Sequence, residues 1–361
     1  MQTTFIINKA QYGDSILIRT FDQDKKEFNI LIDGGPSITF HESLLAVLSS
    51  VKTIHLLVLT HIDSDHIGGL INFLRSPVFK QIEVQRYWFN SKNLLKIAVG
   101  TEISLTQARD FEDLLIMHGE SPSKYTDIVI SESQPYQLAK GITATVISPN
   151  EYILKLLYEK WPDLDKGIFK KAEDQPISAG KAVRRPELSL KELAAEEFQV
   201  HQSVEKDIFN SSSIAFILEL PDCKLLLLGD ARSEIMVEAL KAKRYNNTDN
   251  KLKVDYVKVS HHGSRNNTSS ELLDLIDCQN YIISTNGGQS KHKHPDRDVI
   301  ARIVYHPARD MNKKVNIFFN YSLSFIESLK GPICLPADKE AGNWTIIDNK
   351  NQFSANYVES N

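Results

Sequence analysis

The feature that most constrains this chain is the ten-residue segment Thr60 to Gly69, which reads T-H-I-D-S-D-H-I-G-G. It follows an apolar run, His55 to Thr60, that is typical of a strand, and it precedes an apolar run from Leu70 to Leu74 with helical spacing. A strand end and a helix start bring side chains to one point, and the two glycines allow close backbone approach. Burying two carboxylates and two imidazoles together is costly unless a cation neutralises them. The segment therefore predicts a metal site formed by His61, Asp63, Asp65 and His66.

Later segments carry residues of the same chemical type. Asp230 ends a run of four leucines, where an unpaired carboxylate would be unfavourable. His262 follows the apolar run Val254 to Ser260, and the adjacent His261 competes with it for the same role. The residues alone do not decide between these two histidines. His294 stands in a His-Pro pair, which is most often a surface turn.

The composition is that of a globular protein, and its overall charge gives no reason to expect a polyanionic partner. The 361 residues include 42 Lys and Arg against 46 Asp and Glu, a formal net charge of -4, so nucleic-acid binding would need a local site. The three widely spaced cysteines fit neither a disulfide framework nor a paired-cysteine metal site. The sequence has no basic and apolar leader and no run approaching about 18 apolar residues. We therefore expect a cytoplasmic protein with no membrane span.

Apolar periodicity predicts two strand-rich halves, each followed by helices. In the first half the apolar runs are short and β-branched, and Phe40 to Val51 and Leu94 to Met117 have helical spacing. The second half begins at Ile214 and includes a predicted helix at Ser233 to Lys243. This pattern predicts one α/β domain over residues 1–361, folded as a four-layer αββα sandwich.

Between the halves, residues 150–207 differ from the rest of the chain in composition and in apolar periodicity. Glu151 to Lys160 is amphipathic, and Lys166 to Arg185 is polar and rich in lysine and arginine. Ser189, with a glutamate three residues later, forms a capping-box pattern that predicts another helix. We interpret this region as an inserted helical cap or lid. The tail after Lys313 has two strand-like runs and matches no motif.

The segment Thr60 to Gly69 resembles the H-x-H-x-D-H signature of metallo-β-lactamase-fold hydrolases, with Asp63 where the second histidine usually stands. The variant T-H-x-D-x-D-H-x-G-G resembles the hydrolase domain of ComEC-like DNA-uptake proteins, and also phosphorylcholine esterases. Other segments match that family in order and extend the resemblance over most of residues 1–305: Q-Y-G-D-S from Gln11, L-I-D-G-G from Leu31, N-S-S-S-I from Asn210, L-L-G-D from Leu227, S-H-H-G-S from Ser260 and K-H-P-D around His294.

The resemblance implies a metallo-β-lactamase sandwich whose centre holds two divalent metal ions bridged by Asp230. The first ion would be bound by His61, Asp63 and Asp230, and the second by Asp65, His66, Asp230 and His262. Many family members have a third histidine where this chain has Asn210. The remaining ligands are rich in oxygen, so Mn²⁺ is expected beside Zn²⁺ as a candidate ion.

The resemblance also implies phosphodiester hydrolysis, with nucleic acid or a nucleotide-like diester as substrate. Two ions can lower the pKa of a shared water from about 15.7 toward about 7, so that hydroxide is available at neutral pH. Asp65 and His294 would then be catalytic, and His294 would contact the substrate phosphate or protonate the leaving oxygen. Ser264 would donate a hydrogen bond to a phosphoryl oxygen, or it would only cap the following helix.

Two other functions stay open. Members of this fold also hydrolyse lactones, thioesters and β-lactams, which makes a small-molecule esterase or lactonase the first alternative. The second is an interaction subunit with a degenerate metal site in a multi-protein defence or toxin system, an idea motivated by Asn210. A polyanionic partner would be guided by six basic residues in the insertion, although such a run is more often a solvated loop; they are Lys166, Lys170, Lys171, Lys181, Arg184 and Arg185.

Overall fold

The structure is a computed structural model that describes residues 2–91, 106–164, 187–197, 203–288 and 293–355. Two β-sheets pack face to face, and helices cover the outer face of each sheet. This arrangement confirms the predicted four-layer αββα sandwich. Helix, sheet, sheet and helix enclose three layers of apolar side chains, and the middle layer lies between the sheets.

The first sheet has six strands, which are β1 (Thr4–Ile7), β2 (Ile16–Phe21), β3 (Glu27–Ile32), β5 (Leu56–Val58), β7 (Tyr87–Trp88) and β18 (Gln352–Ser354). Their order across the sheet is β18-β1-β2-β3-β5-β7. The pairs from β18 to β3 are antiparallel, whereas β3, β5 and β7 run parallel. Two short strands, β4 (Thr53–Ile54) and β6 (Glu83–Val84), form a separate parallel pair.

The second sheet has eight strands, which are β8 (Tyr136–Ala139), β9 (Ile142–Ser148), β10 (Ala215–Glu219), β11 (Lys224–Leu227), β13 (Tyr256–Lys258), β15 (Asn280–Ile283), β16 (Val315–Phe319) and β17 (Trp344–Ile347). Their order is β17-β16-β15-β13-β11-β10-β9-β8. From β11 to β17 the neighbours are parallel, so the carboxyl ends of β11, β13 and β15 lie at one edge. A further parallel pair joins β12 (Leu252–Lys253) to β14 (Ile276–Asp277).

Helices form the two outer layers. Those whose side chains pack on the first sheet are α1 (Leu45–Leu48), α2 (Ser64–Arg75), α3 (Thr106–Met117), α4 (Glu151–Leu164) and α6 (Ile208–Ser211). Those on the second sheet are α5 (Leu190–Ala194), α7 (Ser233–Ala242), α8 (Ser270–Asp274), α9 (Arg297–Val304) and α10 (Leu323–Lys330). A π-helical turn, Phe40–Leu44, leads into α1, and 3-10 turns occupy Pro77–Gln81, Pro122–Lys124, Ser260–Gly263 and Pro336–Lys339.

The alternation of side chains along the strands explains the layering. In β2, Ile16 and Ile18 belong to the core between the sheets, whereas Leu17 belongs to the layer under the helices. In β11, Leu226 packs under the helices of the second sheet, and its neighbours in the strand face the middle core. Successive residues of a strand point to opposite faces, so strands buried on both faces appear in the sequence as continuous apolar runs.

Several predicted elements differ in detail from those observed. The predicted strand His55 to Thr60 is shorter in the structure, since β5 covers only Leu56–Val58 and His55 separates it from β4. At that position the ring Nδ1 of His55 accepts the backbone N–H of Asn29 at 2.9 Å. The predicted helix Phe40 to Val51 ends at Leu48, and α3 covers the described part of the predicted helix Leu94 to Met117. Residues 92–105 lie outside the described residues.

The described parts of the predicted insertion pack into the two helical layers. The capping box predicted at Ser189 is present, and the helix α5 that it begins buries Leu190 and Leu193 against the second sheet. Helix α4 buries Ile153 and Leu157 on the first sheet. Residues 165–186, which include all six basic side chains considered as a guide, and residues 198–202 lie outside the described residues. The lid function therefore stays a prediction.

We find no helix in the described ranges with the length and apolar character needed to cross a bilayer.

Candidate metal centre

The predicted ligands lie on loops, and in the first turn of α2, where the chain leaves the same edge of the two sheets. His61 to His66 follow β5, Asp230 follows β11, and His261 and His262 follow β13. The loops approach one another closely at glycines, since a Cβ added to Gly13 would lie 1.9 Å from the backbone oxygen of Asp65. The carboxyl ends of parallel strands are a common place for ligand sites in α/β sheets. Here they bring residues that are about two hundred positions apart into one cluster.

Asp230 is the centre of this cluster. Its Oδ2 lies 3.3 Å from Nε2 of His66, 3.7 Å from Nε2 of His262 and 3.9 Å from Nε2 of His61. These three nitrogens and the second oxygen of Asp230 are buried and have no hydrogen-bond partner among the described residues. Buried polar atoms are normally paired, so this group of convergent lone pairs fits a metal ion.

The two other predicted carboxylates border the same space. Oδ2 of Asp63 lies 3.7 Å from Nε2 of His61, and Oδ2 of Asp65 lies 3.9 Å from Nε2 of His262. The structure therefore brings together all six residues predicted as metal ligands, with Asp63 on the His61 side and Asp65 on the His262 side. Asp14 also belongs to a group, with His66, Asp230 and His262, whose potential ligand atoms lie within 4.8 Å of one another.

The opposite ring nitrogens of the histidines are held by the protein. Nδ1 of His66 donates to Oδ2 of Asp33 at 2.8 Å, and that oxygen also accepts the hydroxyl of Thr60 at 2.7 Å. Nδ1 of His262 donates to the backbone oxygen of Ser284 at 2.9 Å. Such outer contacts fix the tautomer and turn each Nε2 lone pair toward the centre.

The electrostatics of the cluster suit a bound cation. Burial lowers the pKa of His61 and of His262 well below the ordinary value. Burial alone would raise the pKa of Asp230, but the imidazoles of His66, His261 and His262 hold it well below its usual range. Burial also opposes protonation of His66, yet the carboxylates of Asp230 and Asp33 raise its pKa well above the ordinary value. A proton on His66 would neutralise the carboxylates of Asp230 and Asp33, and a bound metal ion would neutralise the same carboxylates.

Asn210, which occupies the position of the third family histidine, offers an amide where those proteins have an imidazole. Its amide Nδ2 donates to Oδ1 of Asp207 at 2.9 Å, and the other oxygen of Asp207 accepts from Arg232 at 3.2 Å. The amide nitrogen of Asn210 is therefore bound to Asp207, whereas its amide oxygen is buried with no hydrogen-bond partner among the described residues.

His294 lies at the rim of the cluster. Its ring centroid is 5.3 Å from that of His261, and its Nδ1 is 3.4 Å from Oδ2 of Asp296. The same oxygen of Asp296 accepts the backbone N–H of Arg265 at 2.8 Å, which ties the two loops together. Ser264 is buried, and its hydroxyl accepts the N–H of Asn266 at 3.4 Å. A local role for Ser264 is thus visible, and its contact with substrate stays a prediction.

Sequence reasoning missed three residues that support the site. Lys258 is buried in β13 and forms an ion pair with Asp14 behind His262. Asp296 faces His294, and Asn267 is buried between His261 and the backbone of Asp230. The signal for Lys258 was a single lysine in an otherwise apolar strand, Tyr-Val-Lys-Val. Asn267 and Asp296 stand in polar turns, where no local pattern distinguishes them.

Comparison with known proteins agrees with this geometry. The family model of the metallo-β-lactamase superfamily matches residues 9–287. The chain therefore belongs to the metallo-β-lactamase superfamily, whose members are in general metal-dependent hydrolases. The buried Asp and His cluster is accordingly a site able to bind metal.

Individual relatives are distant. The chain is 25% identical over 159 residues to ComE operon protein 3 of Bacillus subtilis (strain 168), a match that covers 44% of this chain and only 19% of that protein. It is similar in structure to the metallo-β-lactamase fold protein YhfI of Bacillus subtilis, with 9% identity, a TM-score of 0.41 and coverage of 98% and 100% of the two chains. It is also similar to Zn²⁺-bound PqqB of Methylobacterium extorquens, with 11% identity, a TM-score of 0.38 and coverage of 97% and 99%.

Proposed function

We propose that this chain is a phosphodiesterase or nuclease that uses two divalent ions, Zn²⁺ or Mn²⁺. The observation that carries the proposal is the buried carboxylate of Asp230, which faces the unpaired Nε2 atoms of three histidines at 3.3 to 3.9 Å. A carboxylate shared between two ions suits two-metal sites that clamp the attacking and leaving oxygens of a phosphoryl displacement. When bound, the two metal ions would supply Lewis-acid stabilisation and a nucleophile at neutral pH.

The residues of the chain would orient and complete this centre. Asp33 and Thr60 hold the ring of His66, and the backbone of Ser284 holds the ring of His262. His294 would contact the substrate phosphate or protonate the leaving oxygen, because it lies at the rim beside His261. Asp296 would hold the ring of His294 in place.

We favour nucleic acid or a nucleotide as substrate over a lactone. The support is the resemblance of T-H-x-D-x-D-H and S-H-H-G-S to the hydrolase domain of ComEC-like proteins, together with the 159-residue similarity to ComE operon protein 3. The match spans about a fifth of that relative (19%), so its activity as a whole does not transfer. The six basic residues of the insertion are proposed to guide such a polyanion.

Asp65→Ala should reduce hydrolysis of bis-p-nitrophenyl phosphate by at least about 10²-fold while the chain stays folded. The reason is that Asp65, in the first turn of α2, borders His262 in the proposed centre and contributes no apolar packing to the cores. The measurement is steady-state turnover with Zn²⁺ or Mn²⁺ added, with circular dichroism to verify folding. The matched control is Asp24→Ala, because Asp24 forms only an exposed ion pair with Lys140 among the contacts of the described residues.

Turnover in Asp65→Ala equal to that of the Asp24→Ala control would refute the catalytic assignment. The substrate class is decided by screening the unmodified chain against linear DNA, RNA, cyclic dinucleotides and lactones with each metal. Cleavage of lactones alone would replace the diesterase proposal with the esterase alternative. No turnover of any substrate by a metal-loaded chain would favour the interaction subunit.

A further inference from the structure

We propose that His261 is a ligand of the first metal, beside His61, Asp63 and Asp230, and that the buried amide of Asn267 fixes its orientation. His261 and His262 would then not compete for one position, since each would serve a different ion. The inference rests on the proposal that the centre holds metal, and it is independent of which substrate is cleaved.

The ring of His261 approaches Asp230 as closely as the ring of His262 does. Nε2 of His261 lies 3.7 Å from Oδ2 of Asp230, the same separation as for Nε2 of His262. The planes of the two rings are inclined by 77°, with their centroids 5.9 Å apart. Two adjacent histidines therefore approach the same carboxylate with comparable geometry and from different directions.

An unusual backbone conformation at His261 and His262 makes this approach available. His261 and His262 have φ values of 46° and 55°, so two consecutive residues other than glycine adopt the left-handed conformation. The turn is fixed by the N–H of His261, which donates to the backbone oxygen of Gly229 at 2.9 Å, and by the hydroxyl of Ser260, which donates to that of Ala231 at 2.7 Å. Strained backbone of this kind persists where the surrounding structure enforces it, and it often occurs at functional sites.

The side chain of Asn267 fixes the tautomer of His261. The amide nitrogen of Asn267 donates to the backbone oxygens of Asp230 and Ala231, at 2.9 Å and 3.2 Å. These bonds turn the amide oxygen of Asn267 toward Nδ1 of His261, which lies 3.2 Å away. An amide oxygen only accepts, so Nδ1 carries the proton and the lone pair of His261 is on Nε2, toward Asp230.

Asn210 stands where many family members have a histidine. Its side chain is bound to Asp207, so the first site would otherwise have His61 as its only imidazole. With His261 included, each ion has two imidazoles, one carboxylate of its own and a share of Asp230. The ligands are His61, His261, Asp63 and Asp230 for one ion, and His66, His262, Asp65 and Asp230 for the other. Balanced nitrogen and oxygen ligation of this kind suits zinc as well as manganese.

The test measures metal binding in the full chain, by equilibrium dialysis with Zn²⁺ or Co²⁺ and by the absorption spectrum of the Co²⁺ form. His261→Asn is the informative variant, because asparagine tolerates the left-handed backbone better than other residues. We expect one ion to bind as in the unmodified chain, and the other about 10–100-fold more weakly or not at all. His262→Asn should weaken the other ion, and the exposed His41→Asn should change neither.

Asn267→Leu provides a second variant that leaves the imidazole in place. It should weaken the same ion that His261→Asn weakens, because the ring of His261 loses the acceptor at Nδ1. Two ions bound by His261→Asn with unchanged affinities and an unchanged Co²⁺ spectrum would overturn the inference, whatever the effect on turnover. An unmodified chain that binds no ion would overturn both proposals. An unmodified chain that binds two ions yet cleaves no diester would overturn the proposed function alone.

Discussion

Asp230→Asn should remove both metal ions at once and reduce hydrolysis by on the order of 10³-fold. Asp230 is the residue whose Oδ2 lies within 3.9 Å of four imidazole nitrogens, those of His61, His66, His261 and His262. Asparagine has nearly the same shape, so the hydrogen bond from the backbone N–H of residue 230 to the hydroxyl of Ser213 can be kept. It lacks the charge that two cations share, and each ion therefore loses a ligand and its neutralisation.

The measurement for this variant is metal content after dialysis, with circular dichroism as a check on folding. The control Asp24→Asn removes an exposed carboxylate and should leave both metal content and activity unchanged, because it affects only a surface ion pair. Full metal content in Asp230→Asn would show that the carboxylate is not the bridge between two sites.

Gly69→Ala should destabilise the protein by about 3 kcal/mol, because its extra methyl group has no room. A Cβ at residue 69 would lie 1.9 Å from the backbone oxygen of Gly34. The two segments are also joined by backbone bonds, from the N–H of Gly69 to Gly35 at 2.8 Å and from the N–H of Gly34 to His66 at 2.8 Å. Adding the methyl group must therefore separate the start of α2, which carries His66, from the end of β3.

Urea unfolding of the metal-free chain is the measurement for Gly69→Ala, so that loss of metal does not contribute. The control is Gly119→Ala, at a glycine with a φ of 70° and no atom within 4 Å of the added methyl group. That substitution should cost only the about 1–2 kcal/mol of a left-handed alanine. Equal losses for the two variants would show that the contact between Gly34 and Gly69 is not tight.

Much of the fold could be predicted because the strands are buried on both faces. Runs such as the one that contains β11 have no alternation, which indicates cover on two sides and so a layered sandwich. The segment after Lys313 could not be assigned to a sheet from its sequence. In the structure, β16 and β17 extend the second sheet, and β18 pairs with β1 in the first. Pairing between residues 4–6 and 352–354 leaves no local signal in the sequence.

The candidate site was predictable where its residues are clustered in sequence, and less so where they meet only in space. His61 to His66 follow one strand, so their types and spacing indicate a metal site. The choice between His261 and His262 could not be made, because it depends on a left-handed turn and on the amide of Asn267. The buried pair of Lys258 and Asp14 joins residues 244 positions apart, and only the folded chain brings them together.

The most direct test of the central claim, that the cluster around Asp230 is a metal centre required for hydrolysis, is the metal content and thermal stability of the purified chain before and after chelation. We expect two ions per chain, loss of diester turnover on chelation, and recovery when Zn²⁺ or Mn²⁺ is restored. The ions should also raise the melting temperature, since a ligand present at 100 times its Kd stabilises the folded state by about 2.7 kcal/mol. A chain that contains no metal, and whose activity and stability are the same after chelation, would contradict the account.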